Sequence, residues 1–232
     1  MDERERVRAV FAERDLTGIT RARYSFFNLA NLHFIQERER ELLALLRRHG
    51  FDSEKLGRCR ALSVGCGSGT ELLDLVRYGA TPALMAGVEL ESGRVRQARA
   101  RNPAFGIAQA DAGTLPFPSG HFDLVLQFTL LSSVLDPEFR RRIAQEMLRV
   151  LRPDGTIVWY DFWADNPSNR SVRGIRAAEI RTLFPGCVCD IRRLTLPPPL
   201  ARRIVPVSWL FAEVLSRARL LSVFYLAGIR RQ

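Results

Sequence analysis

Three glycines at alternate positions form the segment of this chain best suited to hold a ligand. Gly65, Gly67 and Gly69 follow the short apolar run 61–64 and precede an amphipathic stretch that begins at Thr70. Glycines allow the backbone to approach a ligand closely and to adopt conformations that other residues avoid. A dinucleotide-binding turn needs a further glycine at the sixth position, where this chain has Thr70. The spacing therefore suits a nucleoside with a small zwitterionic tail, because no pyrophosphate has to be held.

Strand and helix patterns alternate through the middle of the chain. The predicted strands are 61–64, 84–88, 105–108, 122–127 and 156–161, and the predicted helices are 70–78, 92–101 and 136–151. This alternation indicates a parallel sheet with helices on both faces, in which ligands bind beyond the carboxyl ends of the strands. Glu89, Asp111 and Gln127 fall at those ends, as the glycine turn does. The pattern therefore predicts a single site at that edge of the sheet.

An ordered set of segments gives the chain a resemblance to a known family. The glycine turn is followed by Gly87-Val-Glu89, Gln109-Ala-Asp111-Ala112, the strand 122–127, and Glu146 to Gly155. From about residue 37 to residue 162 the sequence resembles the class I S-adenosylmethionine-dependent methyltransferases of the type 11 group. The resemblance implies an α/β fold with a Rossmann-like, doubly wound, mostly parallel seven-stranded sheet, helices on both faces and an N-terminal helical cap.

The resemblance also implies a cofactor, S-adenosylmethionine, which leaves as S-adenosylhomocysteine, and no metal. Glu89 lies where the family places the acid that binds both ribose hydroxyls, and Asp111 with its neighbour lies where the family meets the adenine edge. The residues expected to bind the cofactor are Gly65, Cys66, Gly67, Gly69, Glu89, Leu90, Asp111, Ala112 and Gln127.

One position departs from the family pattern. The family usually carries an acid two residues before the first glycine, where this chain has Ser63. That acid helps to hold the amino group of the methionine moiety, whereas a serine brings no charge. Glu71, early in the next helix, either compensates for the missing acid or is placed there by helix-dipole stabilisation alone. The sequence favours the dipole interpretation and leaves both open.

The candidate catalytic residues are Asp161 and His33. Transfer to an oxygen of high pKa needs a base near the proton, and Asp161 ends the fifth predicted strand, whereas His33 lies on a predicted helix from Asn31 to His49. Each has a structural alternative. Asp161 could cap the loop that follows it, and a single histidine on an amphipathic helix is commonly a packed or surface residue.

Two further groups of residues bear on the acceptor. Tyr24, Phe26 and Phe27, within the aromatic segment 21–28, either form a lid over the site or anchor the first helix, predicted from Arg4 to Asp15, to the core. Ser132 and Ser133 follow the fourth strand, where many type 11 relatives carry histidines. Their small size indicates a roomy acceptor pocket, unless they serve only as caps.

Positive charge is concentrated in the C-terminal part of the chain. The net charge is +10, and residues 165–232 hold 12 arginines against four carboxylates. Such a surface is either a solvated arginine-rich face or a site for phosphate, nucleic acid or anionic lipid. The fourth strand is not followed by the proline-rich segment that is typical of enzymes that methylate base amines, and the loop 164–169 lacks it too. Nucleic acid is therefore an unfavoured partner, and peripheral contact with an anionic membrane stays open.

The cysteines and the first residues indicate a reducing, cytoplasmic setting. No signal peptide is predicted, because the first fifteen residues are rich in charge and lack an apolar block. Cys59, Cys66, Cys187 and Cys189 lack the spacing of a zinc site, and a disulfide at Cys66 would obstruct the glycine turn. The expected location is the cytoplasm, with contact to the inner face of the membrane as an option; the oligomeric state is unknown.

We expect three parts in the chain. Residues 1–50 would form the helical cap, 51–196 the cofactor-binding core, and 197–232 a basic and apolar extension that completes the sheet or packs on it. A helix is predicted at 174–183 and a strand at 188–196. The apolar run 220–229 is too short to span a bilayer. It is interpreted as a final strand in preference to an interfacial helix.

The function expected from these observations is S-adenosylmethionine-dependent O-methylation of a small molecule or glycan, at a sugar or natural-product hydroxyl. Two alternatives belong to other classes. One is a protein that binds S-adenosylmethionine or S-adenosylhomocysteine without catalysis, which Ser63 motivates, and the other is an RNA or N-methyltransferase. The acidic residues Glu89 and Asp111 argue against a degenerate binding protein.

Overall fold

Seven strands form one sheet in the computed structural model, which describes residues 2–16, 24–166, 169–218 and 221–232. In chain order they are β1 (Ala61–Val64), β2 (Met85–Glu89), β3 (Gly106–Gln109), β4 (Phe122–Phe128), β5 (Leu151–Phe162), β6 (Cys187–Leu194) and β7 (Phe224–Arg231). Their order across the sheet is β3-β2-β1-β4-β5-β7-β6. The first five strands are parallel, and β7 runs antiparallel to β5 and β6. The predicted fold class is confirmed.

Helices cover both faces of this sheet. Within the described residues they are α1 (Glu3–Leu16), α2 (Leu29–Arg48), α3 (Ser53–Arg58), α4 (Thr70–Arg77), α5 (Ser92–Arg101), α6 (Pro137–Val150), α7 (Ala177–Leu183), α8 (Pro198–Ile204) and α9 (Trp209–Ala218). None of them combines the length and apolar character needed to cross a membrane. Local signals set the limits of α2: the side chain of Asn28 accepts hydrogen bonds from the first-turn amides, and Gly50 follows the helix with a φ of 76°.

Side chains of successive strand residues enter two separate apolar layers. Ala61 contributes to one layer with residues of α2, α3, α4 and α5, whereas Leu62 and Val64 contribute to the other with residues of α6 and α7. The central strands β1 and β4 are almost wholly apolar because both of their faces are buried. Burial on both faces fixes the sheet rigidly, so the turns at its carboxyl edge are held in defined positions.

Two predicted boundaries differ from the structure by three residues or more. β5 begins at Leu151, not at residue 156, because Leu151 already pairs with Phe122 before the register shifts and Thr156 pairs with Leu124. The Pro-Asp-Gly turn is therefore an irregularity within the strand. The helix predicted from 174 begins only at Ala177, since the amide of Gly174 donates to Oδ1 of Asp165 in a preceding loop.

The C-terminal part contributes both helices and a strand. Strand β7 lies between β5 and β6, as the interpretation of the final apolar run predicted, whereas α8 and α9 had no clear sequence signal. An apolar cluster of Ala30, Leu196, Ala201, Val205 and Ala212 joins α2 to α8 and α9. The division into 1–50, 51–196 and 197–232 stays a prediction. Residues 21–23, 167–168 and 219–220, which belong to predicted segments, lie outside the described residues.

Candidate functional site

A cavity of about 880 Å³ lies at the carboxyl edge of the sheet. Its volume is within the range of small-molecule sites, about 300–1,000 Å³. The turns after β1, β2, β3 and β4 form one side, and α1 and α2 form the other. Of the residues predicted to bind a cofactor, seven line this cavity: Gly65, Cys66, Gly67, Glu89, Leu90, Asp111 and Ala112. The structure thus brings together residues that are up to 47 positions apart in the chain.

The glycine turn forms an open cradle in the cavity. Gly65 and Gly67 have φ values of 70° and 52°, which disfavour any residue with a Cβ. A Cβ at Gly65 would lie 2.9 Å from Cδ1 of Leu130, and no atom lies within 4 Å of a Cβ placed on Gly67. The backbone at Gly67 is therefore accessible to a ligand at close range, which is what a bound nucleoside requires.

Glu89 stands at the end of β2 with its carboxylate held by backbone donors. Its Oε2 accepts a hydrogen bond from the amide of Gly67 at 2.9 Å, and its Oε1 accepts from the amides of Leu90 and Glu91 at 2.7 and 3.1 Å. The residue is buried. These bonds fix the carboxylate beside the glycine turn and leave an acceptor site on Oε2 for a ligand hydroxyl.

Asp111 closes the far end of the cavity together with α1. Its Oδ1 accepts from the amide of Gly113 at 2.8 Å, and its Oδ2 lies 2.6 Å from Nε of Arg4. The Arg4 guanidinium also lies 5.3 Å from the centre of the Phe139 ring. Because Val7 of the same helix lines the cavity, α1 forms a cover tied to the predicted adenine site by an ion pair.

The part of the cavity that α2 and α4 line carries charges of both signs, among them an ion pair between Arg38 and Asp74 at 3.4 Å. Arg38 and Glu71 both line it, whereas Ser63 is buried in β1 and does not. The Arg38 guanidinium lies over the rings of Phe128 and Tyr160, 5.6 and 5.7 Å from their centres. Burial raises the pKa of Glu71 to about 7, against the opposing effect of its own backbone amide and of Arg38. Glu71 lines the cavity from the first turn of α4, a position compatible with both interpretations of this residue.

Two predicted cofactor residues do not reach the cavity. Gly69 precedes α4 with a φ of 79°, and its amide donates to the carbonyl of Cys66. Gln127 is fully buried, and its Oε1 accepts from the amides of Leu130 and Leu131 at 3.2 and 3.4 Å. Both residues shape turns that face the site. The geometry favours a structural role for them in these turns, in place of the predicted direct contact with the cofactor.

Asp161, the first candidate base, is fully buried and does not line the cavity. Its carboxylate oxygens accept from the amides of Ser132 and Phe162 at 3.0 and 2.8 Å. Burial raises its pKa to about 6, and the bonds from Ser132 oppose the rise. These contacts hold the turn after β4 against the end of β5. They support a structural role for Asp161 and not the predicted catalytic one.

His33, the second candidate, lies outside the cavity on the side of α2 that faces α9. Its ring packs edge-on against Trp209 at 5.1 Å, and its Nε2 is 3.6 Å from Oε2 of Glu213. Burial lowers its pKa despite the nearby carboxylate. His33 is therefore a packed residue of the α2–α9 contact, as the alternative interpretation had it.

The aromatic and serine segments divide between cavity and interior. Tyr24 and Phe26 line the cavity while their side chains stay largely exposed, which agrees with a lid and not with anchors in the core. Ser132 and Ser133 are buried, and Oγ of Ser133 donates to the carbonyl of Thr129 at 3.1 Å. The serines do not line the cavity, so their size does not enlarge it.

The sequence pattern did not predict the residues that α1, α2 and α6 contribute to the wall of the cavity. Val7 and Phe11 of α1 are spaced four apart, and so are Phe139 and Ile143 of α6, all of which line the cavity. Such spacing places side chains on one helix face, but it cannot distinguish a cavity wall from core. Arg38 was recognisable in the sequence only as one cation within a charged helix, which does not predict that it lines a cavity. Cys59, Cys187 and Cys189 lie elsewhere, and the described residues hold no cluster of His, Cys, Asp or Glu suited to a metal ion.

Comparison with known proteins agrees with this geometry. Residues 62–159 match the family model described as a methyltransferase domain. A solved S-adenosylmethionine-dependent methyltransferase from Mesorhizobium loti is 18% identical, with a TM-score of 0.57 over 76% of this chain and 93% of that one. At this identity the likeness shows the fold.

Two curated relatives share part of their sequence with the chain. A fatty-acid O-methyltransferase of Mycolicibacterium smegmatis is 39% identical over 44% of this chain and 36% of its own length. A phthiotriol/phenolphthiotriol dimycocerosates methyltransferase of Mycobacterium tuberculosis is 32% identical over 55% of this chain and 47% of its own length. The chain thus spans less than half the length of these relatives. The sheet, the glycine turn and these matches support the assignment of residues 62–159 to a methyltransferase domain of the class I S-adenosylmethionine-dependent, type 11 group.

Proposed function

We propose that this protein transfers a methyl group from S-adenosylmethionine to an oxygen atom of a small apolar or lipid-linked acceptor. The observation that carries the proposal is a cavity in which the family's cofactor residues lie together with a set of apolar side chains. The cofactor supplies a methyl group already activated on a sulfonium. The protein therefore has to bind and align the acceptor and to exclude water.

The donor set along the cavity fits this cofactor. The carboxylate of Glu89 would accept hydrogen bonds from the ribose hydroxyls, and Asp111 with Ala112 would meet the adenine edge. Arg38 and Glu71 carry the charges that complement a zwitterionic tail, with Glu71 taking the place of the acid that Ser63 lacks. This assignment gives Arg38 and Glu71, two of the charged residues that α2 and α4 contribute to the cavity, a role in binding the cofactor.

The remaining lining favours an apolar acceptor. Polar and charged residues also line the cavity, among them Asn31, Asp74, Arg77, Arg94, Gln97 and Arg101. Its apolar part consists of aliphatic and aromatic side chains from α1, the 24–26 segment, α2, the end of β4 with the residues after it, and α6: Val7, Phe11, Tyr24, Phe26, Ile35, Phe128, Leu130, Val134, Phe139 and Ile143. A free sugar would bury its hydroxyls against these groups without partners, which costs free energy. A fatty acid, a lipid-linked glycan or an apolar natural product suits the wall, and the relatives are named for lipid substrates.

The reacting oxygen determines whether a base is needed. A carboxylic acid is ionised at neutral pH, so its oxygen attacks without proton removal, whereas a hydroxyl needs a base nearby. Neither Asp161 nor His33 lines the cavity. Of the carboxylates that do, Glu71, Glu89 and Asp111 are assigned above to the cofactor, and Asp74 is paired with Arg38 and Arg77. This placement favours a carboxylate oxygen as the acceptor, with a natural-product or sugar hydroxyl as the alternative.

Titration calorimetry and methyl transfer test the proposal in sequence. S-adenosylmethionine and S-adenosylhomocysteine should bind the wild type and not Glu89→Ala, while Glu54→Ala, at an exposed residue of α3, should bind like the wild type. Cofactor carrying a labelled methyl group should then label a bacterial lipid extract more than a water-soluble glycan fraction or RNA. Mild alkali releases methanol from a methyl ester and leaves a methyl ether intact, which identifies the reacting oxygen.

The outcomes separate the alternatives. Absence of cofactor binding to folded wild type would refute the proposal. Binding without transfer to any of the three fractions would favour the non-catalytic binding protein. Label confined to the glycan fraction or to RNA would refute the apolar acceptor and leave the methyltransferase activity standing.

A further inference from the structure

Large hydrophobic side chains are exposed mainly in two segments of the structure. Of the twelve such residues among those the structure describes, nine lie at 24–29 or 207–221: Tyr24, Phe26, Phe27, Leu29, Val207, Leu210, Phe211, Val214 and Leu221. Phe27 is 97% exposed and Val207 is 86% exposed. Contiguous apolar surface of this kind marks a site of contact with another molecule or with a membrane.

The outer face of α9 is apolar although its inner face is already packed. Ala212 and Ser216 are buried against α2 and α8, whereas Leu210, Phe211 and Val214 are exposed on the other side. The exposed positions are three and four residues apart, which places them on one stripe of the helix. A helix that is apolar on both sides needs a partner for each. The fold supplies a partner for only one of them.

Exposed arginines lie on α8 and α9, the second of which carries this apolar stripe. Arg202 and Arg203 of α8 are exposed and form no ion pair with any residue in the described part of the chain. Arg217, one turn beyond Val214, is also exposed, and its charge is shared with Glu213 at 3.1 Å. Cations that border an exposed apolar stripe complement a surface that is apolar within and negatively charged at its boundary, as a bilayer of anionic lipids is.

Both exposed segments meet at the N-terminal end of α2. The side chain of Asn31 donates to the carbonyls of Tyr24 and Ser25 at 3.0 and 3.1 Å, which holds the 24–28 turn against the helix. Ala30, in the first turn of α2, is buried in the cluster that includes α8 and α9 residues. Because Tyr24 and Phe26 also line the cavity, the 24–29 segment borders its mouth.

We infer that the 24–29 turn together with α8 and α9 forms a docking surface for a bilayer of anionic phospholipid, from which an apolar acceptor enters the cavity. The docking rests on the exposed residues alone, whereas the entry of the acceptor rests on the proposed function. The combination of exposed apolar side chains and cations favours an anionic bilayer over a second copy of the chain as the partner. A second copy of the chain would place the cations of α8 and α9 against those of its twin.

Flotation with lipid vesicles tests the docking. Wild type should float with vesicles of phosphatidylcholine and phosphatidylglycerol in equal parts, remain unbound with phosphatidylcholine alone, and dissociate as salt is raised. The double variants Leu210→Ser/Phe211→Ser and Arg202→Glu/Arg203→Glu should each bind at least about tenfold more weakly. Val207 lies in a turn and is 86% exposed, so Val207→Ser should weaken vesicle binding without destabilising the fold.

Matched controls complete the experiment. Val188→Ser changes an exposed apolar residue on β6, and Arg58→Glu/Arg96→Glu changes two exposed arginines elsewhere; both should float like wild type. All variants should bind S-adenosylhomocysteine like wild type, which separates loss of docking from loss of the cofactor site. Equal flotation with neutral vesicles, docking variants that float like wild type, or controls that fail equally would overturn the inference. A dimer in sedimentation that Leu210→Ser/Phe211→Ser dissociates would also overturn it, by assigning the surface to a second copy.

Discussion

Replacement of Glu71 by glutamine tests whether this carboxylate holds the amino group of the cofactor. In wild type the residue faces Arg38 from α2, Asp74 from its own helix and Glu89 from β2, and burial raises its pKa to about 7. An ammonium group favours the ionised carboxylate. Cofactor binding should therefore draw the proton from Glu71, and the affinity should fall as the pH drops through that range.

The magnitude follows from the raised pKa. With a pKa of about 7, roughly a tenth of Glu71 is ionised at pH 6 and roughly nine tenths at pH 8, so the affinity should change about tenfold between them. Glu71→Gln retains the shape and removes the charge. A hydrogen bond to a charged group contributes about 1.5–3 kcal/mol, so the variant should bind about 10- to 150-fold more weakly at pH 8.

Calorimetric titration with S-adenosylhomocysteine between pH 6 and 8 measures both effects. The relevant quantity is the pH dependence of the affinity of wild type minus that of Glu71→Gln, because the ionisable groups of the ligand titrate equally in the two measurements. Glu54→Gln, on the exposed face of α3, is the matched control and should follow wild type. A Glu71→Gln variant that binds like wild type at pH 8, or that keeps the full pH dependence, would refute the assignment.

Three further outcomes follow from the geometry. Glu89→Gln should weaken cofactor binding in calorimetry by about 1.5–3 kcal/mol, because a neutral amide replaces the charged acceptor for the ribose hydroxyls; unchanged affinity would exclude this role. Arg4→Gln removes the partly exposed ion pair with Asp111, so S-adenosylhomocysteine should leave up to about fivefold faster in stopped-flow measurements, and an unchanged rate would argue against α1 as a cover. The pKa of Asp161 is raised to about 6 in the folded state from an ordinary value of 3.8, so the folded state holds this proton more tightly than the unfolded state does. The resulting contribution to the free energy of unfolding, about 3 kcal/mol, is present below pH 4 and is lost as the pH rises to 6. Asp161→Asn should flatten that dependence in denaturant unfolding and retain methyl transfer; a large loss of turnover with an unchanged unfolding profile would restore the catalytic assignment.

Local patterns were sufficient for most of the sheet and for the residues at its carboxyl edge. Strand β1 and helix α5 have the predicted bounds, because short buried strands and helices with clear ends carry their signals within a few residues. The glycine turn, Glu89 and Asp111 were identifiable because their positions follow from where parallel strands end. Helices α8 and α9 were missed because a proline-rich, apolar stretch also fits a strand or an interfacial helix.

Roles that depend on distant contacts were decided only by the tertiary structure. Asp161 ends a strand at the correct edge, yet the turn after β4 covers it, and His33 faces α9 from the far side of α2. The sequence specifies which residues stand at strand ends, since that is a matter of local periodicity. It does not specify which of them stay accessible, since accessibility depends on how helices from other parts of the chain pack across those ends. Arg38 comes to line the cavity, and Arg4 to reach Asp111, by that packing alone.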